Sequence, residues 1–383
     1  MADVAVVIMH GAHGTSHGEQ VVEHARQAAT EDLIVRLRAV GAGSIHLLTD
    51  AVSFADRVSA LDVVPFASAK PAPFHAGGAL QEAIRSLRPD GVVYFGSGTG
   101  SLLEEEELRG LLTFAAQPDP AALLNNPFSV DFAAVSGASR LLEMDLPQGD
   151  NAFGLALADA GWNCRALPRT AATQFDIDTP TDVALLAATA TGGETLRTAV
   201  RHLDLPTEAI REVLDRLVDR KACTYLLGRV NPGTWAWFES NVACRTAGIL
   251  EGRGMRGYPD RPGTVLGALV DRTSPEILFD RLGRLCDAAI IDSRPFLSPE
   301  GELPPAEDRF SSDLMAPAEV TDEHWRRFTE AAMTCDVPVL LGGHNLVSGG
   351  LYLLGDACWQ GYELPRRLPT EPFEPTEEPH VRP

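Results

Sequence analysis

Along the first half of the chain, short uninterrupted apolar runs alternate with longer stretches whose apolar residues recur every three or four positions. The runs predict strands buried on both faces, and the longer stretches predict helices that cover them. Val4–Met9 predicts the first strand, and a Gly/His-rich loop separates it from a helix over Gly18–Val40. Ser44–Leu48 and Gly91–Phe95 predict further strands, and Gly77–Leu87, Glu104–Leu112 and Asn151–Ala160 predict helices. The Glu run at 104–107 reads as a negative first turn facing the positive end of its helix. TPTDVALLAATA (179–190) carries a start signal: Thr179 as N-cap, Pro180 at the first helical position and Asp182 in the first turn. Thr207–Arg220 is amphipathic and predicts a bridging helix.

From Lys221 a second β/α series begins with ACTYLLGRV, continues through CRTAGILEGRGM and AAIIDSRPFL, and closes with PVLLGGHNLVSGGLYLL. The fold class predicted is therefore α/β: an N-terminal Rossmann-like, mostly parallel sheet with helices on both faces, plus a second α/β domain. The expected division is 1–195, bridging helices over 196–220, the second domain over 221–365, and a Pro/Glu-rich disordered tail over 366–383.

Composition narrows the function. The formal charge of −21 opposes binding to nucleic-acid phosphates or anionic lipid, so nucleic-acid and membrane partners are not expected. The sequence shows no long apolar run and no basic leader, which points to a cytoplasmic protein. Six scattered cysteines without a CxxC predict reduced thiols rather than a disulfide framework or a zinc site. A homo-oligomer is compatible with the sequence.

Two glycine-rich loops follow predicted strands, where exposed amides can approach an anion. The first is His10–Gly18, with Gly11, Gly14 and Thr15 as backbone candidates and His13, His17 and His24 as its nearby cationic side chains. The second is Gly96-Ser97-Gly98-Thr99-Gly100, whose three glycines permit close approach of a phosphate, ribose or base but also suit a plain turn. Asp176-Ile177-Asp178-Thr179-Pro180-Thr181-Asp182 is the most specific segment. It resembles the D-(I/V)-D-T-P-x-D segment of MobA-like nucleotidyltransferases, the group that includes phospholactate guanylyltransferase, and the resemblance covers about residues 1–190.

The resemblance implies a GT-A-type sheet and transfer of an NMP from an NTP to a small phosphorylated or cofactor-like acceptor, with Mg2+ (or Mn2+) at the leaving pyrophosphate. It implies nucleotide binding at Gly11, Gly14, Thr15 and Gly96–Gly100, catalytic roles for Asp178, His13 and His17, and metal binding by Asp176, Asp178 and Asp131. Two departures stand out: the Arg and Lys of the family's first loop are missing, and Thr99 stands where the family has an Asp. A non-catalytic nucleotide or metabolite binder is therefore the second reading.

The second half gathers Arg229, Arg245, Arg253, Arg256, Asp292, Arg294, His344 and Ser348 near predicted strand ends, with Glu251 and Asp287 close by. Arginine forks suit a phosphate or carboxylate, although surface ion pairing is the plainer role for any one of them. A separate ligand activity in this half is the third reading.

Overall fold

In the first strand, β1 (Val4–His10), Val6 and Ile8 enter one hydrophobic cluster and Val7 enters another, so both faces of the strand are covered. This is why its sequence reads as a continuous apolar run rather than an alternation. The structure, a computed structural model, describes residues 2–12, 14–61, 63–67, 75–149, 152–252, 264–271, 273–297 and 303–362. His13, Arg253, Arg256 and the expected tail over 366–383 lie outside the described residues.

The first sheet also contains β2 (Ser44–Thr49), β3 (Val64–Ala67), β4 (Gly91–Gly96), β5 (Ala121–Leu124), β6 (Phe132–Ser136) and β7 (Asn163–Ala166). Its order is β3-β2-β1-β4-β6-β5-β7; β6 runs antiparallel to both neighbours, and the other pairs are parallel. The chain winds outward from β1 through β2 and β3, then returns to place β4 on the other side. That reversal makes a crevice beyond the carboxyl ends of β1 and β4, where open α/β sheets bind ligands.

The second sheet is wholly parallel: β8 (Cys223–Gly228), β9 (Arg245–Leu250), β10 (Ala288–Asp292) and β11 (Val339–Gly342), in the order β11-β10-β8-β9. It reverses in the same way between β8 and β10, opening a second crevice beyond Gly228 and Asp292.

The two sheets do not keep separate interiors. The helix His17–Ala39 sends Leu33, Ile34 and Leu37 toward the first sheet. Its Val21, Val22, Ala25 and Ala28 join Leu226, Ile290 and Leu340 of the second sheet in one cluster. The helices Pro180–Thr189 and Thr207–Val218 belong to that shared cluster through Val183, Leu186, Ile210 and Val213. The outer face of the second sheet packs Ala289, Ile291 and Leu341 against Phe279, Trp325 and Phe328. Cutting the chain at 221 would thus strip one face of the second sheet.

Helix starts follow the sequence signals closely. Thr179 and Asp182 form a reciprocal capping box with Pro180 at the helix start, and Glu104 with Glu107 forms another. All six cysteines are free. Among the described residues, no helix is long and apolar enough to cross a membrane.

Candidate functional site

The segment 176–182 lies between the two crevices and is fastened on both sides. Arg26, from the helix His17–Ala39, donates from Nε to the Ile177 carbonyl at 2.5 Å and from a terminal nitrogen to Asp178 Oδ1 at 2.8 Å. From the second sheet, Asn345 donates to the Asp176 carbonyl at 2.6 Å and to Asp182 Oδ1 at 2.9 Å, while its Oδ1 accepts from the Asp176 amide at 3.2 Å. Thr181 donates to the Leu341 carbonyl at 2.6 Å. Gly343 completes the seam: a Cβ there would fall 2.9 Å from Thr179 Cγ2.

The second glycine-rich turn meets this segment directly. Gly98 has φ +95°, and a Cβ built on it would fall 2.8 Å from Asp176 Oδ1. Only glycine allows both that backbone and that approach. Asp131 closes the turn from the other side, its carbonyl accepting from the Gly96 amide at 2.8 Å. Asp176 thus faces the turn with its carboxylate, and Asp178 and Asp131 lie near enough to act on it electrostatically. Burial first, then Asp178, with Asp131 adding, push Asp176 well above the usual carboxylate range, against the opposing pull of Arg26.

Among the described residues, no three His, Cys, Asp or Glu side chains stand close enough to hold a metal ion. Asp131 accepts from Asn125 at 2.8 Å and Ser129 at 3.3 Å, and Asp178 is paired with Arg26. Asp131, Asp176 and Asp178 are neighbours in one cleft but not a preformed three-carboxylate cage. Thr99 is occupied as well, donating its hydroxyl to the Gly96 carbonyl at 2.9 Å.

In the first loop, Gly11, Gly14 and Thr15 are exposed, and His17 is exposed at the start of its helix. Gly14 abuts Glu19, which forms a capping box with Ser16. The buried histidine is instead His10, which the sequence reading passed over. Its Nδ1 lies 2.5 Å from Ser97 Oγ and its Nε2 lies 3.0 Å from Glu23 Oε1. A polar residue closing an otherwise apolar strand was the available signal. Finding its partners required β1 and β4 to be adjacent.

In the second crevice Arg229 and Arg294 are already paired. Arg229 forks onto Asp292 at 2.6 and 3.0 Å. Burial raises Asp292, but Arg229 and its hydrogen bonds outweigh that and leave it below the ordinary carboxylate range. Arg294 forks onto Asp313 at 2.7 and 2.6 Å, and the two side chains are 4% and 0% exposed. His344 and Ser348 flank Asn345 and are half-buried. Arg245 begins β9 and Asp287 precedes β10, so both sit at the opposite edge of the sheet from this crevice. Glu251 holds the Leu266 amide at 2.9 Å.

No protein-family model matches the chain, and no curated protein matches it. Among solved structures, it is similar to a cytidylyltransferase from Leptospira borgpetersenii at 13% identity, covering 52% of this chain and 93% of that one, with a TM-score of 0.38. It is similar to a CMP:2-keto-3-deoxy-manno-octonic acid synthetase complexed with CTP at 11% identity, covering 43% and 89%, with a TM-score of 0.31. A mannosyltransferase from Pyrobaculum calidifontis, in complex with GDP-Man and Mn2+, matches at 13% identity over 54% and 71%, also with a TM-score of 0.31.

Proposed function

We propose that the chain is a nucleotidyltransferase that moves an NMP from an NTP to a small acceptor in the seam between its two sheets. The observation that carries this reading is the crevice at the β1/β4 reversal. Two glycine-rich turns open there, and the Asp176–Asp178 segment faces the second of them. The amides of Ser97, Gly98 and Gly100 would cradle phosphate, and Gly98 keeps the cradle free of a side chain. Arg26 fixes the backbone at Ile177 and pairs with Asp178, while Asp176 faces the turn.

Asp176 and Asp178 would hold Mg2+ (or Mn2+), with the remaining ligands coming from phosphate and water, as is usual for Mg2+. The residues fit a cation in this respect: burial and then the charges of Asp178 and Asp131 raise Asp176, and a positive charge would relieve it. When bound, the metal supplies neutralisation of charge at the leaving pyrophosphate. The acceptor enters from the side of His344 and Ser348, next to the Asn345 contacts.

The test is a thermal-shift screen of the four NTPs with and without Mg2+ or Mn2+, followed by a pyrophosphate-release assay. A metal-dependent shift with one NTP, with pyrophosphate release that falls at least tenfold in Asp178→Ala, is the expected result. Unchanged metal dependence in that variant overturns the role of Asp178. The Arg26–Asp178 pair and the locally bonded Thr99 favour a second reading, a nucleotide binder without chemistry. It gives the thermal shift and no pyrophosphate.

A further inference from the structure

Ser97, His10 and Glu23 come from three elements and form one hydrogen-bonded line. Ser97 follows β4, His10 ends β1 and Glu23 lies on the helix His17–Ala39. A carboxylate only accepts, so the proton on His10 faces Glu23 at Nε2, and Nδ1 is left to accept the Ser97 hydroxyl proton. Gln27 donates to the same Glu23 oxygen at 2.5 Å, and Arg57 in turn holds Gln27. The imidazole is packed on the Phe54 ring at 4.7 Å. Every degree of freedom that would let the base turn away is thereby restrained.

From this line we infer a second chemistry, independent of nucleotide transfer: Ser97 is an activated nucleophile toward carboxylic esters. The arrangement is that of a nucleophile within reach of a base that a third group orients. It sits at the carboxyl ends of β1 and β4, in the crevice where this sheet type places ligands, and Ser97 keeps 8% of its surface exposed while His10 keeps 2%. Glycines on both sides of Ser97, with Gly98 at φ +95°, leave backbone rather than side chain around the hydroxyl.

The step balances with water as the only co-reactant. Ser97 Oγ bonds to the carbonyl carbon and its proton passes to His10 Nδ1. The C–O bond of the ester then breaks, and the leaving alcohol takes that proton. Water attacks the acyl-serine through the same base, releasing the acid and restoring the serine.

A fluorophosphonate probe tests this without knowledge of the substrate, because attack by Ser97 forms an O–P bond and expels fluoride, the hydroxyl proton leaving through His10. The probe is applied to the full chain with neither nucleotide nor metal, and peptide mass spectrometry locates the adduct. The expected result is one adduct on Ser97, absent in Ser97→Ala. In Glu23→Gln, which turns the imidazole tautomer, labelling slows by about 100-fold or more while the melting temperature is kept. Absence of an adduct on Ser97 in the folded wild-type chain overturns the inference, as does equal labelling in Glu23→Gln. Neither result touches the NTP reading, whose own assay stands apart.

Discussion

Replacing Arg294 by methionine separates a strut from a ligand-binding arginine. The guanidinium gives two hydrogen bonds to Asp313, one to Ser293 Oγ at 2.8 Å, and lies 5.7 Å from the Trp325 ring centre. Asp313 is fully buried, so Arg294→Met leaves a charge with no water and no partner. Breaking one side of such a pair costs about 3–5 kcal/mol, whereas exchanging both sides for apolar residues of similar volume is often neutral. With a urea slope of about 3 kcal/mol/M, the midpoint of the single variant falls by about 1 to 1.7 M. Arg294→Met/Asp313→Leu should recover most of that loss and retain nucleotide binding. The assay is equilibrium unfolding followed by tryptophan fluorescence and far-UV circular dichroism, whose coincidence also checks that the shared core unfolds as one unit. If the double variant loses as much as the two singles together, the pair is not an isolated strut and the reasoning fails.

The seam carries a pH signature at Asp182. Burial, then Asp178, push it from 3.8 up to about 7, against hydrogen bonds from Asn345 and Thr179. The native chain thus keeps a proton that the unfolded chain has lost, and its stability falls by about 4 kcal/mol in all as pH rises from about 4 to about 7. Relative to Asp182→Asn, wild type should weaken across that window; a parallel pair of stability–pH curves would sink the assignment. Gly98→Ala should cost about 1–3 kcal/mol from the positive φ alone, with Asp176 displaced in addition. A variant that melts with wild type and keeps its nucleotide shift would show that the close approach is not required.

Much of the fold was legible because local chemistry and tertiary structure agreed. The Val4–Met9 run, the Thr179-Pro180-Asp182 start and the Glu104–Glu107 turn depend on neighbours within a few residues, and each forms where the sequence places it. The strands β5, β6 and β7 gave no comparable signal: they are four or five residues long, and β7 is largely exposed, so neither a long apolar run nor a clean alternation marks them. The segment 176–182 was recognisable by its residue types alone, because a capping box and a helix-starting proline are written into consecutive positions.

What the sequence could not reveal was who faces whom. His10 and Ser97 are 87 positions apart, Asn345 and Asp176 are 169 apart, and Arg26 and Asp178 are 152 apart. These pairs exist only because the two sheets reverse their winding at β1/β4 and β8/β10 and share the helix His17–Ala39 between them. The arginines of the second half illustrate the same limit. Their positions near strand ends were visible, but the charges of Arg229 and Arg294 were already spent on Asp292 and Asp313, since a buried guanidinium must find a carboxylate within the fold. Local residue pattern marked the longer elements and the chemistry each could offer; the winding of the sheets decided which of those groups meet.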